Sequence, residues 1–134
     1  MSAEDNLKQV HAIYDAFGRG DLPTILGVLA DDVEWNFQGP PEIPIAGCHR
    51  GREAVAQFFA RVGQLEDIQL FEPLEFIGEG DLVAVVGREK LTVKATGRSF
   101  EGAWAHVYRF CDGKAVQVRL FADTAGAARA FLGS

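Results

Sequence analysis

The last third of the chain contains three side chains that can transfer protons or bind an anionic oxygen. They are His106, Arg119 and Asp123. Imidazole titrates near neutrality, so His106 can both give and take a proton. Arg119 can orient a carbonyl or anionic substrate, and Asp123 can act as a second acid or base. These three are the predicted catalytic residues.

The turn at Asp112-Gly113 determines which side chains share a face with His106. Asp-Gly is favoured in a two-residue type I′ hairpin turn, because both residues tolerate a positive φ. A turn of that length places His106 opposite Arg119. The same register predicts three further cross-strand pairs: Trp104 with Phe121, Tyr108 with Gln117, and Gly102 with Asp123.

A second turn, at Thr96-Gly97, adds the preceding strand to this face. Its register places Glu89 beside Trp104 and Gly87 beside His106. The other side of that strand carries Arg88, Lys90, Thr92 and Lys94, which is typical of a solvent-exposed face. The face that carries His106 is therefore predicted to be the inner one. A third turn, at Glu79-Gly80, adds one more strand, and its register places Glu72 on the inner face with Leu70, Leu74 and Phe76.

An apolar interior that contains several ionisable groups predicts a polar site within an apolar pocket. The predicted substrate-binding residues are Tyr14, Trp35, Phe37, Glu89, Trp104, Tyr108 and Phe121. Each polar group also has a structural interpretation: His106 as a core histidine, Arg119 as the salt-bridge partner of Glu89 or Asp123, and Asp123 as a helix N-cap. Glu89 pairs either with Arg119 or with His106 in these alternatives.

Helical and strand periodicities are segregated along the chain, which predicts an α+β domain with helices on one face of a curved sheet. Leu7, Val10, Tyr14 and Phe17 form one apolar helical stripe. A short helix follows Asp21, a strand covers 33–37, and a third helix follows Gly51. Four long strands then run from Ile68 to Ala122, and a short helix ends the chain. The loop from Gln38 to Arg50 is predicted to form a lid or rim.

Composition excludes several classes of protein. A length of 134 residues suits a single domain, 1–134. The net charge of −6 and the scattered Lys and Arg residues disfavour a nucleic-acid partner. The absence of a long apolar run and the acidic start of the chain predict a cytoplasmic protein that does not contact membranes. Cys48 and Cys111 are predicted to be free thiols, and the sequence predicts neither a metal site nor a cofactor.

Several segments together resemble the SnoaL-like branch of the nuclear-transport-factor-2-like superfamily, which includes ketosteroid isomerases and limonene epoxide hydrolases. They are Tyr14–Asp21, Leu29–Trp35, Ala46–Val55, Trp104–Lys114 and Arg119–Thr124. The resemblance implies a cone-shaped, strongly curved antiparallel sheet, with three helices over its concave face enclosing a pocket and a short C-terminal helix.

The resemblance also implies a class of activity. Ketosteroid isomerases use a tyrosine, a protonated acid and an aspartate base; here the base position falls near Phe37 and the acid position falls on His106. In SnoaL-type cyclases, an aspartate at the end of the last strand resembles Asp123. We therefore expect a cofactor-free isomerase, cyclase or hydrolase that acts on a hydrophobic, carbonyl-containing molecule of polyketide or steroid-like type. The alternative is a non-catalytic carrier that uses the same pocket.

An apolar outer sheet face predicts a homodimer. The residues assigned to that face are Ala105, Val107, Val116, Val118 and Leu120.

Overall fold

The computed structural model describes residues 2–132, so Met1, Gly133 and Ser134 of the predicted domain lie outside the described residues. The helices are α1 (Ala3–Arg19), α2 (Leu22–Val28), α3 (Arg52–Leu65) and α4 (Thr124–Leu132). The strands are β1 (Leu29–Phe37), β2 (Gly47–Arg50), β3 (Glu66–Glu79), β4 (Leu82–Val93), β5 (Ser99–Cys111) and β6 (Lys114–Ala122). Within residues 2–132, no helix has the length and apolar character needed to cross a membrane.

The first two helices begin and end at residues that satisfy their free backbone groups. Ser2 and Asp5 form a reciprocal capping box at the start of α1, and Gly20 ends that helix in the left-handed conformation, with φ of 68°. Asp21 accepts the Thr24 N–H at the start of α2, as predicted. The apolar stripe of α1 packs on the sheet, with Val10 and Ile13 fully buried.

The six strands form one curved sheet in the order β2-β1-β6-β5-β4-β3, so the α+β class is confirmed. Four of the five strand pairs are antiparallel, and β1 pairs with β6 in parallel. Strand β2 lies within the segment that was predicted to be a loop. The sheet and the helices enclose a continuous apolar core that extends from α1 to α4.

The Asp112-Gly113 turn has the predicted form, but β6 contains a bulge just beyond it. Both turn residues have a positive φ, 50° and 80°, and Cys111 pairs with Lys114 across the turn. Val116 is then left out of the pairing, because Phe110 pairs with Ala115 and Arg109 pairs with Gln117. The register therefore shifts by one residue along the rest of β6.

This shift makes the predicted face of β6 wrong. His106 lies opposite Leu120, and Arg119 lies opposite Val107 on the outer side of the sheet. Trp104 pairs with Ala122 rather than with Phe121, and Tyr108 pairs with Val118 rather than with Gln117. Val118 and Leu120, which were assigned to the outer face, are buried at 0% and 3% exposure.

The face predicted for β4 is correct, although its register is displaced by two residues. Glu89 pairs with Gly102, Gly87 pairs with Trp104, and Val85 pairs with His106. The connection spans four residues, 94–97, instead of two, since the Val93 N–H bonds to the Arg98 carbonyl. An even displacement keeps every side chain on its predicted face.

The inward placement of Glu72 is wrong. Its carboxylate lies 3.3 Å from the Arg88 guanidinium on the outer face, and these two residues pair across β3 and β4. Leu74, which was also placed inside, is 54% exposed because β3 has a register shift between Pro73 and Glu75. Proline cannot donate a ladder hydrogen bond, so the irregularity lies where the edge strand is least constrained.

Candidate functional site

A cavity of about 100 Å³ lies between the concave face of the sheet and the helices. Its walls are mainly aromatic and aliphatic. All seven residues predicted to bind substrate border this cavity: Tyr14, Trp35, Phe37, Glu89, Trp104, Tyr108 and Phe121. The corrected register of β6 turns the Phe121 side chain to the outer face of the sheet, so its inward placement is wrong. The segment between β1 and β2 contributes Ile43 and Ile45, which are almost fully buried against the cavity.

A chain of three hydrogen-bonded side chains crosses one wall. The Tyr108 hydroxyl donates to the Tyr14 hydroxyl at 2.8 Å, and the Tyr14 oxygen lies 2.6 Å from His106 Nδ1. The Tyr14 oxygen accepts the hydrogen bond of Tyr108, so the hydroxyl hydrogen of Tyr14 is available for donation to His106 Nδ1. A neutral imidazole that accepts at Nδ1 carries its proton on Nε2. The chain therefore fixes the tautomer and leaves Nε2–H as a hydrogen-bond donor.

Burial in this apolar wall determines the charge state of the chain. It lowers the pKa of His106 to about 3, so the imidazole is neutral at physiological pH. Burial also raises the pKa of Tyr14 and of Tyr108 well above the ordinary value. All three groups are neutral, and His106 is a better donor than proton acceptor. The sequence predicts the imidazole but not this charge state.

An aromatic stack holds the imidazole in position. The His106 ring lies 4.2 Å from the Trp104 ring at an interplanar angle of 24°. Trp104 in turn stacks on Phe71 at 4.6 Å and 5°, and Tyr14 stacks against Trp104 at 5.6 Å. The indole N–H groups of Trp104 and Trp35 are buried, and neither has a hydrogen-bond partner within residues 2–132.

Two carboxyl groups, Glu66 and Glu89, also line the cavity. Within the described chain, neither forms a salt bridge, so the predicted pairing of Glu89 with Arg119 or His106 is wrong. Burial raises the pKa of Glu66 to about 7, and burial together with the charge of Glu66 raises the pKa of Glu89 to about 7. A carboxyl group with such a pKa can both take and release a proton near neutrality.

Glu66 was missed by the sequence analysis, although a signal for it was present. The strand was taken to begin at Ile68, whereas β3 begins at Glu66. Alternation from Ile68, which pairs with the buried Leu91, places Glu66 on the same inward face.

Arg119 and Asp123 lie away from His106. Arg119 does not line the cavity, and the predicted salt bridges to Glu89 and Asp123 do not form within residues 2–132. Asp123 is exposed, and its carboxylate accepts the Gly126 N–H at 3.3 Å. The capping alternative for Asp123 is thus confirmed, since this contact satisfies a free donor at the start of α4.

The described residues contain no group of three or more His, Cys, Asp or Glu side chains arranged to hold a metal ion. Cys48 and Cys111 are both free and exposed.

Comparison with known proteins places this architecture among characterised folds. The sequence matches the SnoaL-like domain over residues 10–118. It is similar to a nuclear-transport-factor-2-like protein from Burkholderia xenovorans LB400, with 37% identity, 98% of each chain covered and a TM-score of 0.89. A second such protein, of unknown function, from Burkholderia pseudomallei K96243 has 34% identity, 98% coverage of each chain and a TM-score of 0.87.

A third similar structure is that of TerC co-crystallised with polyporic acid. It has 25% identity and a TM-score of 0.84, with 96% of this chain and 98% of TerC covered. No curated protein matches the sequence.

Proposed function

The chain belongs to the SnoaL-like domain family, and from this premise we propose that it is a small enzyme that transfers protons on an apolar carbonyl compound without a cofactor. One observation carries the proposal: a neutral histidine of fixed tautomer and two uncompensated carboxyl groups line the same apolar cavity. The reaction class is isomerisation, cyclisation or hydrolysis of a polyketide-like or steroid-like molecule. The co-crystallisation of TerC with polyporic acid supports a small organic ligand.

The residues take complementary roles in this mechanism. The carbonyl oxygen of the substrate accepts a hydrogen bond from Nε2–H of His106, while burial keeps the imidazole neutral and Tyr14 and Tyr108 orient it. The Glu89 side chain enters the cavity from the strand next to β5, where its partner Gly102 is four residues from His106, so the ligand has to extend from the imidazole towards Glu89. In the proposed step the Glu89 carboxylate takes a proton from the carbon next to the carbonyl, and the electron pair moves to the carbonyl oxygen as an enolate. In an isomerisation, Glu89 returns the proton to another carbon of the conjugated system. In a cyclisation, the enolate carbon attacks a second carbonyl carbon of the same molecule, and the alkoxide that forms takes the proton back from Glu89.

The role predicted for Arg119 depended on a register that β6 does not have. The role of Asp123 came from the resemblance to SnoaL-type cyclases, but its side chain is exposed and accepts the Gly126 N–H, so the mechanism gives neither residue a part. His106 keeps its place, but as a hydrogen-bond donor rather than as the base.

A test of the proposal needs no knowledge of the natural substrate. We expect the protein to catalyse exchange of the α-protons of 2-tetralone, a flat apolar ketone, for deuterium in D2O at neutral pH, as followed by NMR. Replacement of His106 by alanine should reduce the rate of exchange by roughly 10² to 10³-fold, because the enolate oxygen loses its donor. Thermal unfolding of the variant should remain cooperative.

The matched control is His11→Ala, since His11 is exposed and does not line the cavity. That variant should exchange 2-tetralone as fast as the unmodified protein. Equal rates for the His106 and His11 variants would refute the role given to His106.

The second candidate function is that of a carrier, and the predominantly apolar character of the cavity wall favours it. A carrier would bind 2-tetralone without accelerating exchange. Trp35 and Trp104 both line the cavity and are the two tryptophans of the chain, so quenching of their fluorescence reports binding independently of turnover.

A homodimer through the outer face of the sheet is part of the proposal. With the corrected register, the patch contains Val86 and Phe121, at 36% and 38% exposure, together with Ala105 and Val107. The protein should sediment as a dimer at micromolar concentration, and Val86→Glu should shift it to a monomer, because a charge buried without a partner is costly. The near-isosteric Val86→Thr is the control. A monomeric unmodified protein would contradict the dimer.

A further inference from the structure

The charge composition of the cavity wall is one-sided: among residues 2–132, neither a lysine nor an arginine lines it. Its histidine and tyrosines are neutral, so Glu66 and Glu89 are the lining residues that can be charged near neutral pH. The net charge of the lining side chains is consequently zero or negative. An anionic ligand finds no cation in this wall, whereas a cationic ligand finds two carboxyl groups.

The two carboxyl groups act from different parts of the cavity. Glu66 is the first residue of β3 and pairs with Val93, whereas Glu89 pairs with Phe71, five residues further along β3. Glu89 and Val93 are four residues apart on β4, which separates the two backbone positions by roughly 13 Å along the strand. One ligand can therefore engage Glu66 and Glu89 with different functional groups.

Glu66 has no assigned partner in the mechanism described above. It lies largely within the cavity wall, and no Lys, Arg or His side chain within residues 2–132 forms a salt bridge with it. A carboxylate in such surroundings is stabilised by any cation that enters the cavity. The aromatic rings of the wall add to this attraction, because their faces also attract cations.

We propose that Glu66 binds a protonated nitrogen of the ligand, so that the substrate is an apolar carbonyl compound that also carries a basic amine. This inference depends on the proposed function for the carbonyl end of the ligand. The inference also relates binding of the amine at Glu66 to the protonation state of Glu89. The charge of Glu66 contributes to the raised pKa of Glu89, and an ammonium group on Glu66 cancels that charge. Binding of an amine therefore increases the ionised fraction of the base.

Three tetralin derivatives of matched shape test this assignment: 2-aminotetralin, 2-tetralol and tetralin-2-carboxylic acid. At pH 8 the amine is cationic, the alcohol is neutral and the carboxylic acid is anionic, and Glu66 is mostly ionised. Tryptophan fluorescence measures the dissociation constant of each. We expect the amine to bind at least about tenfold more tightly than the alcohol, and the carboxylate to bind most weakly. The preference for the amine should decrease as the pH falls to 6.

Glu66→Gln provides the variant, because glutamine has the size of glutamate but no charge. It should bring the amine to the affinity of the alcohol while leaving the affinity for the alcohol unchanged. Glu75→Gln, an exposed position on the same strand, is the matched control and should keep the preference. A preference that survives in the Glu66 variant would overturn the assignment, as would equal affinities for amine and alcohol in the unmodified protein at pH 8.

These outcomes separate the two proposals. If the protein exchanges 2-tetralone but does not prefer the amine, the inference about Glu66 fails and the proposed function stands. If it prefers the amine but does not exchange 2-tetralone, the proposed chemistry fails and the cation subsite stands. Absence of binding by all the tetralins would overturn both.

Discussion

Replacement of Glu89 by glutamine should slow the exchange of 2-tetralone protons by roughly 10² to 10⁴-fold, the range that a positioned acid or base contributes. Glutamine has the shape of the protonated glutamate but cannot accept a proton from carbon. Burial disfavours the charged form of Glu89, so the neutral amide should not destabilise the fold. The rate constant for deuterium incorporation, measured by NMR at saturating ketone, checks the prediction.

The pH dependence of the exchange identifies the same group. Burial and the charge of Glu66 raise the pKa of Glu89 to about 7, and the base is active only when ionised. The rate should therefore rise as the pH increases through 7 and reach a plateau about one unit above it. Protonation of His106 adds no limb in this range, because burial lowers its pKa to about 3.

Glu101→Gln is the matched control for Glu89→Gln. Glu101 is exposed and pairs with Lys90, one residue beyond Glu89 on β4, and it does not line the cavity with His106. This variant should keep both the rate and its pH profile. A Glu89 variant that retained the full rate, with the step near pH 7 intact, would exclude Glu89 as the base.

Replacement of Gly87 by alanine should destabilise the fold by about 3 kcal/mol or more, which corresponds to a fall in melting temperature on the order of 10 °C. A Cβ atom at this position would lie 2.2 Å from Cζ2 of Trp104 and 2.4 Å from the backbone oxygen of Glu72. Neither group can easily move, because the oxygen belongs to the neighbouring strand and the indole ring is buried. Chemical denaturation of the purified variant measures the change.

The same substitution should also displace Trp104 in the candidate site. Gly87 allows the Trp104 ring to lie across β4 and stack on both Phe71 and His106. Gly63→Ala is the control, since a Cβ atom there has open space around it in the helix α3. Alanine at that position should stabilise the protein by roughly 0.5 to 1 kcal/mol. A loss of less than about 1 kcal/mol in the Gly87 variant would show that the strands adjust to the extra methyl group.

Much of the fold can be predicted because its signals are local. Asp21 caps α2 and the Asp112-Gly113 turn has positive φ at both residues, as their side chains require. The alternation of apolar and polar residues assigns the inner face of β4 and β5 correctly, even though the register of that hairpin is displaced by two residues. Most of the cavity wall follows from this alternation.

The failure on β6 shows two local signals in conflict. The turn length alone places Arg119 inside, whereas alternation along β6 favours Val118 and Leu120 inside. The bulge at Val116 allows both the turn and the burial of these two side chains. Burying each apolar side chain contributes about 1.5 to 3 kcal/mol, so the burial of Val118 and Leu120 determines the register.

The helices, the long strands, the tight turn and the imidazole within an apolar wall can all be predicted from the sequence, because each depends on neighbours a few residues away. The chemistry of that wall depends instead on contacts between distant parts of the chain. The Tyr14 hydroxyl that fixes the tautomer of His106 comes from 92 residues away. The pKa of about 7 for Glu66 and Glu89 depends on how much water the assembled helices and sheet exclude, and no local pattern contains that quantity.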